Sequence, residues 1–339
     1  MKTSILIIYT GGTIGMVKDS HTNSLVPLDF KQITNQVPEL KGFDCDFGSY
    51  EFETPIDSSN VNPEFWAELV KVIQDNYKAY DGFVILHGTD TMAHTASALS
   101  FMIQNIDKPI ILTGSQLPIG TIRTDGKENL ITSVEIAMDK IEGESIIKEV
   151  CVCFENKLFR GNRISKVNAE YFTAFSSENY PNLAEIGIHI HYNKHVFLKR
   201  ENKEPVFNSI CDDSVAVLKV FPGMSEQYVN SILKIERLKA VIVETYGAGN
   251  APTDEWFMQA LENASEHLLI VNVTQCKAGS VNQGHYETSV RMQKIGVVSA
   301  SDMTFEAAIT KLMFLIGNGY EKKQLANLFI NPISGELTV

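Results

Sequence analysis

The chain has 339 residues and a formal net charge of −12, from 29 Lys and Arg against 41 Asp and Glu. That acidic balance excludes a nucleic-acid binder built on a basic face, and docking on an anionic membrane through clustered Lys and Arg. A hydrophobic fraction of 44% with 21% charged residues excludes wholesale disorder. The length predicts about two domains, each able to bury a core without staples.

The chain opens with an apolar run at 5–9 that Gly11 and Gly12 close, too short for the core of a secretory leader. No stretch approaches the roughly 18 apolar residues of a membrane span. Cys45, Cys151, Cys153, Cys211 and Cys276 are odd in number and form no CxxC. Neither a disulfide framework nor a zinc site is expected, and a reduced, cytoplasmic protein is. Cys151 and Cys153 share one strand face and read as core. Cys276, alone at a strand end, reads as a buried small hydrophobe.

The run at 5–9 predicts a strand. Pro63 in a first turn, then Phe65, Leu69, Val72, Ile73 and Tyr77 at helical spacing, predict a helix over 62–77. Apolar runs at 83–86, 110–112 and 150–154 predict strands covered on both faces, as in a parallel sheet. Helical patterns separate them, one from Thr91 through Ile106 and one from Asn129 through Ile141. Residues 186–192 read as a strand with His189 and His191 on one face, packed or exposed rather than metal-bound. The charged segment 199–204, ahead of Pro205, reads as a surface turn or the start of a linker. Strands follow at 215–221, 240–243 and 268–273, with helices at 225–237, 254–265 and 302–316. Thr253 and Ser301 stand at the N-caps of the last two. The alternation predicts an α/β protein. A larger N-terminal α/β domain at 1–195 carries a doubly wound, mainly parallel sheet. A linker at 196–213 leads to a smaller C-terminal α/β domain at 214–339.

Ligands of open α/β sheets bind at the carboxyl ends of parallel strands. Three loops there are unusual. Thr10-Gly11-Gly12-Thr13-Ile14-Gly15 sets a hydroxyl in a sharp turn, either as structure or as an anion nest. His87-Gly88-Thr89-Asp90-Thr91 sets a hydroxyl beside a carboxylate, where Asp90 or Thr91 also reads as a plain helix cap. Thr113-Gly114-Ser115-Gln116-Leu117-Pro118 opens a long loop to Gly126. Its Gly120…Gly126-Lys127 misses a P-loop, with five residues between the glycines and Glu128 in place of a hydroxyl. No dinucleotide fingerprint, GxSxG elbow or HExxH is found.

The first two loops, in this order and separation, resemble the two signatures of the bacterial-type L-asparaginases. Thr113-Gly114-Ser115, Arg160-Gly161-Asn162-Arg163, Tyr246-Gly247-Ala248-Gly249-Asn250-Ala251-Pro252 and Gly335-Glu336-Leu337-Thr338 agree with the same family. The likeness runs from about residue 4 to the C-terminus and is closest to the cytoplasmic type I branch. It implies hydrolysis of L-asparagine to L-aspartate and ammonia through a threonine acyl-enzyme, without metal or cofactor. It implies that Thr13 is the nucleophile and that Thr89, Asp90 and Lys166 form the second catalytic cluster. Asp57 and Ser58, with Ser59 beside them, hold the substrate's α-amino and α-carboxylate groups. Asp90 shares that duty with Thr89, and Ser115 lies near the leaving amide. It also implies a homo-oligomer, a dimer or tetramer, in which a neighbouring subunit completes each site. Leu25 stands where the family's loop carries a tyrosine.

These roles are chemically coherent. A neutral hydroxyl attacks an amide poorly, so the nucleophile must lose its proton, and a lysine beside Asp90 is placed to draw charge through Thr89. Thr89 is the rival nucleophile. Backbone N–H groups of the Gly-rich loops suit an oxyanion, and one such donor is worth about 3–4 kcal/mol in a barrier. One extra substrate methylene changes discrimination by only about 1–3 kcal/mol, so a glutaminase-asparaginase is a near alternative. A non-catalytic amino-acid sensor would have no need of both threonines and the lysine. A phosphate or nucleotide binder is disfavoured by the failed P-loop.

Overall fold

The computed structural model describes residues 2–18, 25–27, 32, 35–199, 203–284 and 287–339. Contacts divide the chain into two units, Met1–Ser209 and Ile210–Val339.

The first unit is built on eight strands: β1 (Thr3–Gly11), β2 (Cys45–Ile56), β3 (Gly82–Leu86), β4 (Ile110–Thr113), β5 (Val150–Phe154), β6 (Lys157–Arg160), β7 (Ala184–Ile186) and β8 (Ile190–Tyr192). They lie in one sheet in the order β8-β7-β6-β5-β4-β3-β1-β2. The pairs from β2 through β5 are all parallel, and β6, β7 and β8 add an antiparallel extension. Every residue of β3 and β5 is buried, as continuous apolar runs require. Ile5, Ile7, Tyr9, Val84, Leu86, Ile111, Cys151 and Cys153 share one core with Leu130, Val134 and Ala137 of helix α3 (Gly126–Met138). Leu6, Ile8, Phe83 and Ile85, equally buried, alternate to the opposite face. Helices α1 (Pro63–Asn76) and α2 (Met92–Met102) precede α3 in the chain. Asn62 caps α1 through Phe65 N, with Pro63 in its first turn.

The second unit carries a parallel sheet of β9 (Val215–Lys219), β10 (Ala240–Thr245), β11 (Leu269–Thr274) and β12 (Val298–Ser299), in that order. Its helices are α4 (Glu226–Leu233), α5 (Glu255–Ser265), α6 (Glu287–Lys294), α7 (Phe305–Gly317) and α8 (Lys322–Ile330). Lys311 and Glu336, both fully buried, form an ion pair there. Lys311 also donates to the Phe329 and Asn331 carbonyls, each at 2.7 Å, and Glu336 accepts from Ile333 N and Ser334 N.

The structure corrects several expectations. Helix α2 ends at Met102, so Ile106 lies outside it. Ile103 instead pairs with Phe207, and Asn105 turns left-handed at φ 57°. Helix α3 ends before Ile141, which joins a short hairpin with Glu144. Helix α4 ends at Leu233, short of Arg237, which lies beyond it in the left-handed region at φ 62°. The caps of α5 and α7 are Asp254 and Thr304, not Thr253 and Ser301. Ser301 is left-handed at φ 56°, and the Thr304 hydroxyl accepts from Ala307 N. Residues 186–192 are not one strand. Gly187 N donates to His189 O, so His189 sits in the turn between β7 and β8. Cys276 is exposed, not buried. Residues 200–202 of the charged segment, and 19–24 of the loop after the first motif, lie outside the described residues. So does the side chain of Leu25. Among the described residues no helix is long and apolar enough to cross a membrane, and no three His, Cys, Asp or Glu side chains group as metal ligands.

Candidate active site

Strand β1 lies between β2 and β3, parallel to both. Their carboxyl ends therefore open at one sheet edge, and the loops after all three meet there. Glycine permits the meeting. Gly12, at φ 84°, is so close to the second loop that a Cβ would stand 2.4 Å from Gly88 N and 2.5 Å from Gly88 Cα. A Cβ on Gly88 would stand 2.5 Å from the Ser58 hydroxyl. The Thr13 and Thr89 loops thus touch through backbone, and the Ser58 side chain packs against Gly88.

Thr13 begins a one-turn 3-10 segment, Thr13–Gly15, and is half-buried. The Tyr9 hydroxyl supports it from below, donating to Gly15 O at 3.1 Å. Burial pushes the Tyr9 phenol up to about 12, so it stays a proton donor. Thr10 ties the two loops' strands together by donating to Leu86 O at 2.9 Å.

Thr89, Asp90 and Lys166 form one cluster. Lys166 Nζ donates to Thr89 Oγ1 and to Asp90 Oδ1, each at 2.7 Å. Lys166 reaches this point from the short antiparallel pair of Ser165–Lys166 with Phe175–Ser176. Its side chain is 17% exposed while that of Asp90 is 64% exposed, so the ammonium is sheltered and the carboxylate open to solvent. The helix-cap reading of Asp90 and Thr91 fails. Thr91 is the N-cap residue of α2 but makes no side-chain cap, and its hydroxyl donates to Ser58 O at 2.7 Å.

Asp57 is exposed and Ser58 buried. The Asp57 carboxylate accepts from Ser59 N and Ser59 Oγ, both at 3.0 Å, which fixes the turn Ser58–Asn60. Ser115 is buried, and its hydroxyl donates back to Leu117 O at 2.5 Å. The long loop after it is anchored by Asp125, whose carboxylate accepts from Gln116 N and Leu117 N, and by Asn129 donating to Gly114 O.

Sequence reasoning gave no role to two polar side chains beside these loops. Gln116 accepts a long hydrogen bond from Thr89 Oγ1 at 3.4 Å and donates to Tyr171 O at 3.0 Å. His87, fully buried behind the second loop, sits with Nδ1 2.7 Å from Gly88 O. Gln116 directly follows the Ser115 motif, and that adjacency was the available signal. His87 stood inside the second motif itself.

Comparison with known proteins shows the family. The family model described as Asparaginase, N-terminal matches residues 4–198, and that described as Glutaminase/Asparaginase C-terminal domain matches residues 214–329. The chain is 40% identical over 339 residues to L-asparaginase 1 of Escherichia coli K12, covering 99% of this chain and 98% of that one. The crystal structure of L-asparaginase I from Vibrio cholerae superposes with a TM-score of 0.89 at 38% identity, covering 100% of both chains. The thermostable L-asparaginase of Thermococcus kodakarensis gives a TM-score of 0.92 at 31% identity, covering 99% of this chain and 100% of that one.

Proposed function

The chain belongs to the asparaginase family of amidohydrolases, and from that premise we propose that it hydrolyses L-asparagine to L-aspartate and ammonia through a threonine acyl-enzyme. The observation that carries this reading is the Lys166 ammonium held 2.7 Å from both the Thr89 hydroxyl and the Asp90 carboxylate. It lies at the edge where the Thr13 and Ser58 loops touch Gly88.

Thr13 Oγ adds to the side-chain amide carbon, and the carbonyl oxygen takes the negative charge. Backbone N–H groups of the two Gly-rich loops stabilise that oxyanion. Collapse breaks the C–N bond, the nitrogen leaves as ammonia with the proton Thr13 gave up, and a threonine ester remains. Water then cleaves the ester and releases L-aspartate. The Lys166 ammonium lowers the cost of negative charge on the Thr89 oxygen as protons move, and Asp90 keeps the lysine in place. Asp57 and Asp90 take the substrate ammonium. Ser58, Ser59 and nearby N–H groups take its α-carboxylate, and the Ser115 backbone lies by the leaving amide. The same reading puts the protein in the cytoplasm as a homo-oligomer, a dimer or tetramer.

Ammonia release from L-asparagine and L-glutamine, with wild type beside Thr13→Ala and Thr89→Ala, tests this. The expected result is release from asparagine, lost by at least about 10³-fold in both variants. Comparable turnover of glutamine moves the protein to the glutaminase-asparaginases. Calorimetric binding of asparagine without release would overturn hydrolysis in favour of a sensor.

A further inference from the structure

His87 is the last buried residue before the glycine of the second loop, 1% exposed, and the reaction above makes no use of it. Its surroundings fix its proton. Nδ1 lies 2.7 Å from Gly88 O, and a carbonyl only accepts, so Nδ1 carries hydrogen. Burial pushes the imidazole down to about 4, so near neutral pH the ring holds that one proton and Nε2 is a bare acceptor. The Thr95 hydroxyl, 3.0 Å from Nε2, is then the donor to it. Thr95 in turn accepts from the Trp66 indole N–H at 3.1 Å, a group that only donates. The result is a directional chain, from Trp66 on α1 through Thr95 on α2 and His87 to the Gly88 carbonyl. The Phe65 ring, its centre 6.2 Å from the imidazole centre and tilted 65° to it, closes the apolar side.

The chain ends on the peptide that carries Thr89. No peptide bond among the described residues is cis, so the Gly88 C=O and the Thr89 N–H point in opposite directions. Holding the carbonyl against His87 turns the Thr89 N–H away from the buried ring. On that same residue the hydroxyl meets Lys166. A phenylalanine or leucine would fill the volume of His87 without desolvating an imidazole, and neither would grip Gly88 O.

We propose that His87 is a positioning residue for amide hydrolysis: a neutral imidazole of fixed tautomer that holds the Gly88 carbonyl and so sets the orientation of Thr89. The proposal rests on the hydrolase reading above. It separates three substitutions. Asparagine presents an amide N–H where Nδ1 stands, glutamine presents one where Nε2 stands, and leucine presents none.

Steady-state kinetics on L-asparagine with His87→Leu, His87→Gln and His87→Asn make the test, beside ¹⁵N spectra of the wild-type imidazole. The leucine and glutamine variants should lose about 10–100-fold in kcat with KM within about 3-fold, since small misplacement of a reacting group is expensive while binding groups stay put. The asparagine variant should recover most of kcat, and the wild-type ring should show Nδ1–H alone from about pH 5 to 8. Equal losses in all three variants, full activity in the leucine variant, or a doubly protonated ring near pH 6 would overturn the proposal. Should wild type release no ammonia, the hydrolase reading falls separately. The tether then still stands if the Thr89 amide resonance moves in His87→Leu and returns in His87→Asn, and falls if it does not.

Discussion

Two lysine–carboxylate pairs in this chain do opposite things. Lys311 and Glu336 are fully buried, and the lysine's remaining hydrogens go to the Phe329 and Asn331 carbonyls. Removing one partner leaves a charge with no water to compensate it. Glu336→Gln is expected to destabilise the protein by about 3–5 kcal/mol. Lys166 and Asp90 are joined at 2.7 Å, but the carboxylate is 64% exposed and solvent screens the pair. Lys166→Met should shift stability by less than about 1 kcal/mol and yet lower kcat by about 10²–10⁴-fold. Urea midpoints together with asparagine turnover check both. A Lys166→Met protein that keeps its turnover removes the lysine from the mechanism. The residue identities of this cluster were legible, because Thr89-Asp90 and Lys166 stand in short motifs. The contact between them, across 77 positions, was not, because nothing local encodes it. Gln116 was missed for the same reason, since its partners Thr89 and Tyr171 lie in other loops, and His87 because its burial against Thr95 and the Gly88 carbonyl is set only by packing.

At the scale of elements, the site depends on how closely three loops approach. Gly12 and Gly143 both have positive φ, 84° and 86°, but a Cβ on Gly12 would strike Gly88 backbone while one on Gly143 would meet nothing within 4 Å. Gly143→Ala should cost only the left-handed strain, about 1–2 kcal/mol, and leave turnover unchanged. Gly12→Ala adds a backbone collision, which can be relieved only by moving the Thr13 and Thr89 loops apart. Its expected effect is a loss of about 100-fold or more in kcat beyond the same strain. Parallel kinetics and melting curves on the two variants decide it, and comparable activity in both would show that the loops can separate freely. Most helices were legible from apolar spacing, and their ends were not. Ile106 and Ile141 kept the helical spacing, but chain reversal ended α2 and α3 before them. Likewise 186–192 looked like one strand, and a turn at Gly187 folded it into two.

For the molecule as a whole, pH acts through groups whose proton affinity changes on folding. Burial pushes His87 down to about 4, so as the medium acidifies below about 6.5 the unfolded chain takes up a proton the folded one refuses. Its stabilising share is complete above the unfolded value and is lost as pH falls toward the folded one. Burial alone would raise the carboxyls of Asp81 and Asp212, but Lys140 with Ser4, and Lys239 with Ser214, outweigh it and hold them below their ordinary value. Their share is therefore lost at lower pH still, through the carboxylate range. Urea midpoints should correspond to a drop of about 2 kcal/mol between pH 7 and pH 5 from His87, and His87→Asn should shrink that drop. A wild-type midpoint flat across the interval would show that His87 is not buried neutral. From residue order alone followed the α/β class, the mainly parallel sheet, the motif loops at strand ends and the family they resemble. Each of these is written in local periodicity or in short motifs. Which loops touch, where helices stop, and that Lys166 reaches Thr89 while Thr91 turns to Ser58 were decided only by the folded chain. They depend on contacts between residues far apart in sequence, and only the sheet order sets those distances.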